Sequence, residues 1–174
     1  GKEGILVFIV NSLYSGTKDK TPSESAAREM LNKTLHQIED KHEGIIVTTF
    51  ASQIARIKSI LDIGKKIDRE VILLGRSMDK YSSAAKNSGA APFLEGVRIA
   101  KYRRQVEKAL KMTEKNRKDY LIVCTGHQGE PNSILERMSR KDLHFKLTNR
   151  DNIVFSSSVI PSPVNIEQFS KMES

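Results

Sequence analysis

One cysteine, Cys124, and no tryptophan occur in 174 residues. A single thiol excludes an internal disulfide and a cysteine-built zinc site. Histidine is scarce too, with four in all, and no HxHxDH, HExxH or other metal-ligand spacing connects them. No metal ligands are therefore assigned within the chain. Neither GxxxxGK(S/T) nor GxGxxG occurs, and no GxSxG supports a hydrolase elbow. Apolar runs fall short of the roughly 18 residues that a membrane helix needs. The chain starts at Gly1 and passes directly into the apolar residues 5–10. It lacks the basic leader and cleavage site of a signal peptide, so a cytoplasmic location is expected. A start without methionine, already inside an apolar segment, leads us to expect a piece of a longer polypeptide that comprises one domain, residues 1–174.

What is present is a globular balance, 38% hydrophobic and 29% charged residues, with a net charge of +8. Five segments rich in β-branched residues recur, at 4–10, 44–50, 70–74, 120–125 and 152–156. They are continuously apolar rather than alternating, which predicts strands buried on both faces of a parallel sheet. Helical patterns separate them. Thr21-Pro22-Ser23-Glu24 reads as a capping box with Thr21 as N-cap. Further helices are expected from Ser52, over 77–87, from Val97 to about Thr113, after Pro131 and over 162–172. The alternation predicts an α/β fold: an open, mainly parallel five-stranded sheet with helices on both faces.

Ligands of such sheets bind at the carboxyl ends of the strands. Here those ends read Asn11-Ser12, Thr48-Thr49, Gly75-Arg76-Ser77, Thr125-Gly126 and Ser156-Ser157-Ser158. All are small or hydroxyl-bearing, and most run into a helix N-terminus, where free N–H groups favour phosphate oxygens. The same residue types also cap helices and make turns without any ligand. Arg76 can fork onto a phosphate or pair with Asp79. His127, in the Gly126-His127-Gln128-Gly129-Glu130-Pro131 loop, is the one histidine near a strand end and a candidate acid or base.

Charge is concentrated over 97–118, where nine basic residues face only Glu107 and Glu114. Lys101, Arg104, Lys108, Lys111 and Lys115 recur at a spacing of three or four, opposite Ile99, Val106 and Leu110. Such a stripe suits a nucleic-acid backbone, and it also suits an ordinary solvated helix face.

In sequence order, Asn11-Ser12-Leu13-Tyr14, Thr21-Pro22-Ser23-Glu24, the run from Thr48 to Arg56, Gly75-Arg76-Ser77-Met78, the run from Cys124 to Pro131 and the run from Ser156 to Pro161 resemble the β-CASP domain of ribonuclease J-type enzymes, in a version similar to archaeal members. The resemblance implies an insert in a metallo-β-lactamase nuclease, a lid that guides single-stranded RNA while a zinc-bearing domain of the same parent chain cleaves it from the 5′ end or internally. Zinc is thus expected in the parent and no cofactor in this chain. Homodimers are a further expectation. The HxHxDH motif would lie upstream of Gly1, and a later HxSGHA motif beyond Ser174. Asn11 stands at the position of the family's first acidic motif, where an amide cannot orient a catalytic histidine as a carboxylate does. On this reading Thr49, Ser52, Arg56, Gly75, Arg76, Ser77, Thr125, Gly126, Gln128, Gly129, Ser156, Ser157 and Ser158 take the RNA backbone. Arg104 and Lys108 add nonspecific attraction. Two readings of other classes stand beside it: a Rossmann-like nucleotide-binding enzyme or transferase that uses His127 and the Ser/Thr edge, and a basic module that docks an acidic protein.

Overall fold

A computed structural model describes residues 4–10, 15, 16, 18, 20–38 and 44–173. Five strands form one sheet: β1 (Gly44–Thr48), β2 (Glu70–Leu74), β3 (Arg98–Ala100), β4 (Tyr120–Cys124) and β5 (Asp151–Phe155). Their order is β3-β2-β4-β1-β5, and every pairing is parallel. The central strands are buried on both sides, as their continuous apolar runs require.

Among the described residues six α-helices cover the sheet: α1 (Glu24–His36), α2 (Ile54–Lys66), α3 (Arg76–Asn87), α4 (Arg103–Lys115), α5 (Ile134–Ser139) and α6 (Pro163–Glu173). Alternate strand residues face opposite layers. Ile45, Val47, Val71, Leu73, Leu121 and Val123 pack with Leu31 and Leu35 of α1, Ile57 and Ile60 of α2 and Met78 of α3. Ile46, Ile72, Leu74, Ile122 and Cys124 pack with Val106 and Leu110 of α4 and with Ile134, Leu135 and Met138 of α5. Helices therefore lie on both faces, and none among the described residues is long and apolar enough to cross a membrane.

Two expectations about the elements are corrected. Residues 4–10 are not a strand of this sheet; they lie outside regular structure, with Leu6 99% and Ile9 91% exposed. β-propensity alone makes no ladder, since a strand exists only through a partner's N–H and C=O groups. The fifth strand is instead β3, which the helical spacing of Ile99, Tyr102, Val106 and Leu110 had assigned to the start of a helix. Three residues there pair with β2, Ile72 to Arg98 through Leu74 to Ala100. Helix α4 starts only after Tyr102, where Gln105 Oε1 accepts from the Lys101 and Tyr102 N–H groups, each at 3.1 Å.

The start of α1 is displaced as well. Its N-cap is Ser23, whose Oγ accepts from Ala26 N–H at 3.2 Å, and not Thr21. Glu24 opens the helix, but its carboxylate reaches Arg56 of α2 rather than the cap. An arginine fork outcompetes a backbone N–H for a carboxylate that it can engage twice.

Candidate nucleic-acid interface

Because all five strands run parallel, their carboxyl ends share one rim. Thr49, Gly75 and Ser156 extend the ladder past the strand ends, with Thr49 N–H donating to the Cys124 carbonyl, Gly75 N–H to Ala100 and Ser156 N–H to Thr48. The small-residue turns at 48–49, 75–77, 125–126 and 156–158 therefore gather on one edge. The turn at 11–12, with Asn11, lies outside the described residues.

The rim has two unlike halves. At the ends of β2, β3 and β4 it opens into a cleft of about 550 Å³. Gly75, Arg76, Ser77, Lys101, Tyr102, Arg103 and Thr125 form much of its wall, and residues 130–134 and Arg137 close the far side. Helix α3 begins here. Gly75 sits at φ +111°, and a Cβ there would stand 3.2 Å from Ile134 Cγ1. Glycine lets the chain turn into the helix without that side chain. The first turn of α3 then presents N–H groups that no helical carbonyl satisfies.

Four basic side chains line the cleft, Arg76, Lys101, Arg103 and Arg137, against one carboxylate, Glu130. Asp79, the possible partner of Arg76, is taken by Lys101 Nζ at 2.7 Å. That bond raises the Lys101 ammonium above its ordinary pKa and keeps it charged. Arg103 pairs with Glu107 at 2.9 Å, an exposed i,i+4 contact that also lowers the Glu107 carboxyl. Arg76 is exposed and makes no ion pair among the described residues. The cleft offers a positive surface rich in N–H donors, which is the chemistry of a phosphate ligand.

At the ends of β1, β5 and the β4 loop the rim is closed. Thr48, Thr49 and His127 are fully buried, and Gln128 is 3% exposed. The Gln128 amide ties the loops together: Nε2 donates to the Ser158 carbonyl at 3.0 Å, and Oε1 accepts from Ile160 N–H at 2.7 Å. The His127 ring stands edge-on to Phe50, with centroids 4.0 Å apart. Neither ring nitrogen has a hydrogen-bond partner among the described residues, nor do the hydroxyls of Thr48, Thr49 and Ser157. Burial holds the imidazole below its ordinary pKa, against a smaller opposing pull from Glu130. Burial also pushes the Cys124 thiol up to about 12, so it is no nucleophile.

The residues named from the sequence thus divide. Arg76, Ser77, Gly75 and Thr125 line the cleft. Ser52 and Ser158 are exposed elsewhere on the rim. Thr49, Gly126, His127, Gln128 and Gly129 are buried, as is Arg56, whose guanidinium is engaged by Glu24 and Ser156. His127 is thus sealed from solvent, and Thr49 and Arg56 do not present their polar groups outward. Arg104 and Lys108 are exposed on α4 beside Lys111. Lys101 and Tyr102 were not placed at a strand end from the sequence, Lys101 being read only within the α4 stripe; Arg137 and residues 132–133 were not singled out at all. The signal for the first two was the glycine at 96 followed by Val97-Arg98-Ile99, a turn and a short β-branched run. Among the described residues no group of three or more His, Cys, Asp or Glu side chains is placed to hold a metal.

Comparison with known proteins points to one family. The family model of the ribonuclease J β-CASP domain matches residues 42–172. Ribonuclease J of Methanocaldococcus jannaschii is 42% identical over 175 residues, covering 100% of this chain and 39% of that protein. The Pyrococcus abyssi ribonuclease J is 40% identical over 168 residues, 97% of this chain and 37% of its own length. The Sinorhizobium meliloti protein of the same name is 31% identical over 162 residues, 92% of this chain and 27% of that one. The chain therefore spans well under half the length of these relatives.

Proposed function

This chain belongs to the family of ribonuclease J β-CASP domains, and from that premise we propose that it guides single-stranded RNA along its strand-end rim. On this reading the chain acts as one domain of a longer RNA-processing nuclease, whose catalytic zinc sits in a metallo-β-lactamase domain of the same parent. The residues described here do not fit a zinc site, so no hydrolytic step is assigned to them. Their task is to bind and orient the backbone.

The observation that carries the reading is the cleft, where four cations and the first turn of α3 face solvent at a parallel-sheet rim. Arg76 supplies a planar fork for a phosphodiester oxygen, and Lys101 and Arg103 add charge. Ser77 and Thr125 donate hydroxyl hydrogens. The stripe of Arg104, Lys108 and Lys111 extends the positive field along α4.

Fluorescence anisotropy with a labelled single-stranded RNA oligomer tests this. With about three phosphates neutralised, log K falls against log salt with a slope near −2, so affinity drops by more than about tenfold between 50 and 200 mM salt. An affinity that is flat across this range refutes the electrostatic account. Adding zinc to the purified chain is expected to give no cleavage, and metal-dependent turnover overturns the division of labour. A cleft of this size also fits a mononucleotide. A thermal shift with mononucleotide and none with oligonucleotide would favour a nucleotide-binding enzyme instead.

A further inference from the structure

The 156–158 turn is held from two sides. Gln128 grips its end through Ser158 and Ile160. Arg56 grips its start, and the way it does so redefines that residue. Arg56 stands in the first turn of α2 and is only 9% exposed. Its Nε donates to Glu24 Oε1 at 2.9 Å, and Nη2 donates to Oε2 at 3.0 Å. Ser59 Oγ donates to the same Glu24 Oε1 at 3.1 Å. Nη1 points the other way, donating to the Ser156 carbonyl and lying 3.3 Å from Ser156 Oγ. One guanidinium thus joins the first residue of α1, the start of α2 and the end of β5.

The chemistry argues against a phosphate ligand. A carboxylate already occupies the fork in the two-pronged geometry that a phosphate would need. It also cancels the charge, and a phosphate would have to displace Glu24 from a guanidinium whose side chain is only 11% exposed. We propose that Arg56 is a positioning residue: clamped by Glu24, it fixes the shape of the 156–158 turn on the rim and makes no contact with RNA. The RNA part of this inference rests on the guiding function proposed above.

The two roles predict opposite signs for Glu24→Gln. If Arg56 were a phosphate ligand restrained by Glu24, removing the carboxylate would release it and add a positive charge, so RNA would bind more tightly. If Arg56 positions the turn, binding weakens by about 3- to 10-fold despite the added positive charge, with the salt slope unchanged. Glu29→Gln makes the same charge change at an exposed site on α1 and is expected to leave affinity within about twofold. Tighter binding by Glu24→Gln, with a steeper salt slope, overturns the proposal.

Amide hydrogen exchange of the RNA-free chain separates this failure from that of the guiding function. Glu24→Gln and Arg56→Lys, both checked for native circular dichroism, should raise exchange at residues 156–158 by about tenfold and leave the β4 core protected. Unchanged protection of the turn overturns the clamp whatever RNA does. If the turn loosens but the wild-type chain binds no RNA, the clamp stands and the guiding function falls.

Discussion

The two halves of the rim are built from nearly the same residue types and do opposite things. Around β2, β3 and β4 the hydroxyls and glycine stand beside unpaired or exposed cations, and the surface opens into a cleft. Around β1, β5 and the β4 loop the same small polar side chains are packed under Phe50, Gln128 and the 156–160 segment, with His127 and two threonines fully buried. Composition therefore says where a ligand edge is, but only solvent access says which part of it can meet a ligand. The buried half holds polar groups without partners, which costs stability. On the proposed reading it shapes the rim, and the open half meets the RNA.

The contrast is broken most severely by filling the closed half. Gly129 sits at φ +68°, and a Cβ there would lie 2.6 Å from the Gln168 carbonyl oxygen of α6. Gly129→Ala combines a strained backbone with a backbone clash and should lower stability by about 3 kcal/mol or more, read from urea unfolding. A loss below about 1 kcal/mol would show that the loop and α6 yield easily.

The next effect in size tests binding. Arg76→Gln, in the open half, should weaken RNA binding severalfold and reduce the magnitude of the salt slope by about 1. Thr49→Val, in the closed half, replaces an unpartnered buried hydroxyl by a methyl and should leave both unchanged. Equal effects from the two would erase the distinction between the halves.

The smallest expected effect is a pH dependence. His127 titrates below its ordinary 6.5 because burial disfavours the imidazolium. The unfolded chain then takes up the proton first. Stability therefore falls as pH drops below about 6.5, since the unfolded state binds more protons there. His127→Phe removes two unpartnered nitrogens and keeps an edge contact with Phe50 available. It should be more stable by about 1 kcal/mol at neutral pH, with an advantage that grows as the medium is acidified. An advantage that stays constant between pH 7.5 and 5.5 would mean that the ring is not held neutral by the fold.

How far the sequence could be read depended on the range of the interactions. Among the described residues, four of the five strands and all six helices were recognisable, because a continuous run such as Leu121-Ile122-Val123-Cys124 or the helical spacing of Ile54, Ile57 and Leu61 is a local signal of burial. The short strand β3 was hidden, since three residues carry too little pattern to outweigh the helix that follows, and their assignment comes from pairing with β2. Residues 5–10 misled in the opposite sense: they have strand composition and no partner in the sheet. Among the site residues, Arg76 and Ser77 could be placed from strand-end position alone. Arg56 could not, because its carboxylate partner is 32 residues away and the carbonyl it holds is 100 residues away.

By itself the amino-acid order determined an α/β body, a shared rim of small polar turns and a surplus of positive charge beside it. Those follow from periodicity, turn chemistry and counting, all of which act over a few residues. Which turns face water, which cations stay free and which arginine is turned inward were decided by the folded chain. Burial and ion pairing depend on groups brought together from distant positions, and only the packing of helices against the sheet brings them within reach.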